Sequence, residues 1–91
     1  MSNASQEIRH RSVPSRRLSD RTIVARLADG APIVLASTAA TVWHALEDWV
    51  TVDEIDRHLE EAFPNVSVLE RHSARQQILV TLMEENLIEQ H

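Results

Sequence analysis

The chain has 91 residues, nine arginines, no lysine, no cysteine and a formal net charge of −5. That length makes one domain, and the lack of cysteine excludes disulfides and thiolate metal ligands. No apolar run reaches transmembrane length and no signal-peptide core is present, so a soluble cytoplasmic protein is expected.

Charge is unevenly placed. Residues 1–26 hold six arginines against Glu7 and Asp20, a balance of +4, whereas residues 27–91 hold three arginines against twelve acids, a balance of −9. Binding to duplex DNA rests largely on neutralising phosphates, so an acidic helical segment is a poor surface for it. The basic end reads either as a contact for an acidic partner or as a solvated tail.

Residues 1–12 are polar and read as a flexible basic arm, followed by a single domain over residues 13–91. Residues 13–18 form a short strand that Pro14 confines to a sheet edge. Residues 22–28 alternate as a second strand, with Ile23, Ala25 and Leu27 on one face and Val24 and Arg26 on the other. Asp29-Gly30 then signals a tight hairpin, because glycine supplies the positive φ of a primed turn. Pro32-Ile33-Val34-Leu35-Ala36 returns as the partner strand.

The hydrophobic period changes after this block. From Ala39 onward apolar residues fall at 39, 42, 43, 46, 49 and 50, which is helical spacing. A first helix is predicted over residues 38–48, with Ser37 or Thr38 as its cap and Val42, Trp43, Leu46 and Trp49 as its buried stripe. Thr51-Val52-Asp53-Glu54 is a capping box for a second helix, which buries Ile55, Leu59, Ala62 and Phe63 and stops before Pro64. Ser67 with Glu70 and Ser73 with Gln76 are alternative openings of a third helix, so its start lies between 67 and 74. That helix carries Ala74, Ile78, Leu79, Leu82 and Met83 and ends near Glu85. Asn86 suits a left-handed cap, after which Leu87 and Ile88 fold back as a closing contact. The fold class is therefore α+β: a two- or three-stranded antiparallel sheet followed by three helices, winged helix-turn-helix-like.

Catalytic groupings are not found. The five histidines show no metal-ligand spacing, and His58 and His72, which flank the link between the second and third helices, read as surface residues. One glycine cannot build a phosphate loop. The carboxylates of Asp53/Glu54 and Glu60/Glu61 are adjacent in sequence and so diverge on a helix. No catalytic residue, metal site or cofactor is expected, and the chain does not read as an enzyme.

The run from Asp29-Gly30 through Ile33 to Ala39, Val42-Trp43, Leu46-Glu47-Asp48, Thr51 to Ile55, Leu59, Phe63-Pro64, Ile78-Leu79, Leu82 and Asn86-Leu87-Ile88 resembles the PqqD-like family. These are peptide chaperones of pyrroloquinoline quinone biosynthesis and related recognition elements of ribosomally made, modified peptides. The resemblance covers roughly residues 20–89 and looks closest to small stand-alone forms of lasso-peptide and radical-SAM pathways. Trp49 and Asn86 stand where the family usually has glycine, and the link before the third helix is longer than usual.

The resemblance implies a non-catalytic protein that binds the leader segment of a precursor peptide by strand addition and presents it to a modifying enzyme or leader protease. The receiving edge would be Pro32, Ile33, Val34, Leu35 and Ala36. The groove wall would be the third helix through Arg75, Leu79, Leu82 and Met83, with Arg71 and Arg75 pairing acidic leader residues. Nucleic acid and membrane are not expected as partners. Two alternatives stand beside this reading. One is a winged-helix DNA-binding regulator, and the other is an adaptor that forms a homodimer through its open strand edge.

Overall fold

The computed structural model describes residues 6–18, 21–24 and 32–90, with backbone alone for Ile23. The strands are β1 (Glu7–His10), β2 (Ser15–Arg17), β3 (Arg21–Val24), β4 (Ile33–Ala36), β5 (Val50–Thr51) and β6 (Ile88–Gln90). The helices are α1 (Thr38–Ala45), α2 (Val52–Ala62) and α3 (Val68–Glu84). The fold is α+β, with a three-stranded antiparallel sheet of order β2-β3-β4 followed by helices. A second three-stranded sheet, of order β5-β1-β6, joins the start, middle and end of the chain.

That second sheet corrects the expectation of a flexible arm for residues 7–10, while residues 1–5 of that arm lie outside the described residues. Ile8 pairs with Val50 on one side and Gln90 on the other, and its side chain is only 6% exposed. The cause is a lone apolar residue in a polar stretch finding two strands to bury it. His10 N–H donates to the Leu46 carbonyl at 3.0 Å, and Arg11 N–H to that of Leu87 at 2.8 Å. The His10 ring stacks on Trp43 with centroids 4.1 Å apart. Arg9 lies over the Trp49 ring at 4.8 Å and pairs with Glu89 at 3.2 Å.

The β2-β3-β4 sheet follows the sequence reading in order. β2 is an edge strand, and β3 pairs β4 with Thr22 opposite Leu35 and Val24 opposite Ile33. Residues 25–28 of the predicted second strand and the Asp29-Gly30 turn signal lie outside the described residues. Along β4 the side chains alternate as a half-buried strand requires: Leu35 is buried and Ile33 partly so, while Val34 and Ala36 are exposed.

The first helix is shorter than its predicted 38–48 span. It stops at Ala45, and Val50 leaves the helix to pair with Ile8. Trp49 consequently sits in the connection, partly buried beneath Arg9, rather than in a helical stripe. Ser37 makes no side-chain cap and holds φ 51°, ψ −120°. Its carbonyl still accepts from Thr41 N–H at 3.1 Å.

Caps set the other two helices. Thr51 Oγ1 accepts from Glu54 N–H at 3.2 Å and Glu54 Oε1 accepts from Thr51 N–H at 3.2 Å, so the capping box forms. Of the two openings for the third helix the earlier one is used: Ser67 Oγ accepts from Glu70 N–H at 3.1 Å. Its end is a Schellman turn. Leu87 N–H reaches the Leu82 carbonyl at 2.9 Å and Asn86 N–H that of Met83 at 3.0 Å, with Asn86 at φ 59°. The core gathers Ile8, Val24, Leu35, Val42, Trp43, Leu46, Val50, Ile55, Leu59, Leu82, Leu87 and Ile88, so every described element except β2 contributes to it. Among the described residues no helix is long and apolar enough to cross a membrane.

Candidate functional site

The candidate site is the outer edge of β4. Its inner side is paired to β3, and no described strand pairs its other side. Alternate N–H and C=O groups of an edge strand point away from its neighbour, so they are available to an added chain. Val34 is 55% exposed there, and Pro32 and Ala36 are also exposed. Leu35 faces the core and Ile33 packs against it, so these two would contribute main-chain groups rather than side chains.

α1 packs against both β4 and α3. The residues named on α3 divide by helical phase. Arg71, Arg75, Ile78 and Leu82 recur at intervals of four, three and four, which is one stripe of an α-helix. That stripe turns inward. Leu82 is fully buried in the core, which removes it from the predicted groove wall.

The two arginines are also drawn away from the predicted role. Arg71 is 8% exposed. Its guanidinium donates to the Phe63 carbonyl at 3.2 Å and to that of Val66, and pairs with Glu60 at 3.7 Å. It thereby supplies the cation at the C-terminal end of α2 that the helix itself lacks. Arg75 grips Asp56 with two parallel bonds, Nε to Oδ1 at 2.9 Å and an Nη to Oδ2 at 3.2 Å. This geometry satisfies the carboxylate bidentately and ties α3 to α2. Neither arginine is placed to pair acidic residues of a leader.

Several apolar side chains of α3 also remain exposed, among polar ones. Met83 is 50% exposed, Leu79 partly buried, and Leu69 and Val80 are exposed as well. Leu69, Val80 and Met83, offset by eleven and three residues, fall in one sector of the helix. The sequence reading did not name Leu69 or Val80, although their offset carried the signal.

His58 and His72 do not meet. His72 Nε2 lies 3.4 Å from Asp56 Oδ2, on the α3 side of α2. His58 lines a cavity on another face of the same helix, together with Phe63 and residues of α1. Among the described residues there is no group of three or more side chains able to hold a metal ion. Comparison with protein-family models, with curated proteins and with solved structures finds no match for this chain.

Proposed function

We propose that this chain is a winged-helix-like recognition protein. It binds the leader segment of a ribosomal precursor peptide as an added strand on β4 and presents it, without catalysis, to a modifying enzyme or leader protease. The observation that carries this reading is the outer edge of β4, a strand with no described partner on that side and an exposed Val34. In strand addition the main-chain bonds give affinity and pockets for alternate side chains give specificity. Leu79 and Met83 suit apolar leader side chains, and the flexible thioether of Met83 suits an adaptable pocket. Arg71 and Arg75 have no place in this recognition.

Their engagement bears on the DNA-binding alternative as well. A recognition helix needs cations free to reach phosphates and base edges, whereas Arg71 and Arg75 are occupied within the fold. The homodimer alternative uses the same β4 edge and predicts a mass that rises with concentration and falls when leader is added.

The test is an anisotropy titration of a labelled leader peptide from the precursor encoded beside this protein, with a DNA duplex as control. Binding tighter than about 10 μM, roughly −7 kcal/mol, is expected. A leader carrying N-methyl groups on alternate amides should lose at least tenfold in one methylation register and little in the other. No binding by a folded sample, or equal effects in both registers, removes the strand-addition reading. Salt-sensitive duplex binding would put the regulator first.

A further inference from the structure

Helix α3 carries a second apolar face, on the side opposite its inward stripe. Leu69, Ser73, Gln76, Val80 and Met83 recur at intervals of four and three, the seam spacing of a helix that packs along a partner helix. The seam runs about 21 Å along α3. All five residues are exposed, and Leu69, at 79%, is the most exposed large apolar residue described. A helix with a single buried face keeps its outward side polar, so apolar residues on both sides suit a helix packed on both.

Charge distinguishes the occupant. Glu70, Gln77 and Glu84 follow one another at intervals of seven along one flank of the seam, and all three are exposed. Among the described residues no cation pairs with either carboxylate. The arginines of α3 that could offset them turn inward, Arg71 to the end of α2 and Arg75 to Asp56. His72 also lies against Asp56. The outward side of α3 is therefore apolar with an acidic flank. A second copy of the chain fits it poorly. An antiparallel pair centred on Gln76 sets Leu69 against Met83, but it also brings Glu70 near Glu84, and like charges flanking a seam repel.

We propose that this face docks a basic amphipathic helix of another protein, with apolar residues on the seam and lysine or arginine along the Glu70–Glu84 flank. Under the recognition reading that protein is the enzyme or protease that receives the leader, and the inference rests on that reading to this extent. Met83 ends the seam and also belongs to the leader site, so the test relies on Leu69 and Val80.

The experiment is an NMR titration of the isotope-labelled full chain with a synthetic helix of three heptads. One form carries leucine on its seam and lysine on its flanks; the other replaces lysine by glutamate. Saturable shifts are expected at Leu69, Ser73, Gln76 and Val80, with the lysine form binding about tenfold or more tighter. Glu70→Gln combined with Glu84→Gln should remove most of that preference. Leu69→Gln combined with Val80→Gln should weaken the lysine form about fivefold or more, with an unchanged circular dichroism spectrum and unchanged leader affinity. Equal binding of the two forms, shifts confined to other elements, or full binding by the Leu69→Gln/Val80→Gln variant would overturn the proposal. A mass that rises with concentration and is restored to the monomer by Leu69→Gln would also overturn it, by giving the face to a second copy. Leader binding without helix binding overturns this inference alone, whereas helix binding without leader binding overturns strand addition and leaves the docking face standing.

Discussion

Ser37 holds φ 51° and ψ −120°, and its hydroxyl makes no cap. A residue with a Cβ is strained there by roughly 1–3 kcal/mol, whereas glycine is not. Ser37→Gly is therefore expected to stabilise the fold by about 1 kcal/mol after its larger chain-entropy cost. Urea denaturation checks this through a raised midpoint at unchanged slope; a lowered midpoint would mean that the hydroxyl is needed. Asn86 meets a similar demand at φ 59° with a side chain that tolerates it. Asn86→Val should cost about 1–2 kcal/mol and Asn86→Gly close to nothing. Of the two positions only Asn86 was legible, because asparagine ahead of a closing apolar pair signals a left-handed turn. Serine before a helix signals a cap, and the local sequence offers no sign that the pairing of β3 with β4 forces its backbone elsewhere.

Among the elements, β1 and α3 separate structural from functional roles. Ile8→Ala should destabilise by about 2–4 kcal/mol, as for a buried aliphatic residue. A flexible arm would lose less than about 0.5 kcal/mol, so a denaturation curve distinguishes the two. On α3 the inward stripe and the exposed sector should respond in opposite ways. Arg75→Ala is expected to cost roughly 1–3 kcal/mol of stability by leaving the partly buried Asp56 with only its His72 contact, while leader affinity per folded molecule stays unchanged. Met83→Glu should leave stability within about 0.5 kcal/mol and weaken leader binding tenfold or more. A stable Arg75→Ala variant with lost affinity would restore the arginine to the groove. The phase that buries Arg71 and Arg75 was present in the sequence, since both lie on the Ile78–Leu82 stripe. The carbonyls of Phe63 and Val66 and the Asp56 carboxylate that receive them were not legible, because they come from another helix and its link.

For the whole molecule, the β5-β1-β6 sheet makes the chain ends and the middle one cooperative unit. Removing residues 1–10 should therefore lower the midpoint of a single thermal transition rather than leave it unchanged. The charge of −9 on residues 27–91 and of +4 on residues 1–26 had suggested an acidic head with a basic tail. Folding instead ties the Arg9 guanidinium into the second sheet through Glu89.

The sequence by itself determined the three helices in outline, the caps at Thr51 and Asn86, the antiparallel pairing into β4 and most of the apolar set, and it left Ser67 as one of two openings for the third helix. Each of these depends on neighbours within a few residues, where propensity, hydrogen-bond reach and hydrophobic period act directly. Tertiary structure decided the rest: the strand at Glu7–His10, the departure of Trp49 and Val50 from the first helix, the inward ion pairs and the cavity. These depend on groups far apart in the chain being desolvated together, as Ile8 is between Val50 and Gln90. A buried group takes whatever partner the fold brings to it, and no local pattern names that partner.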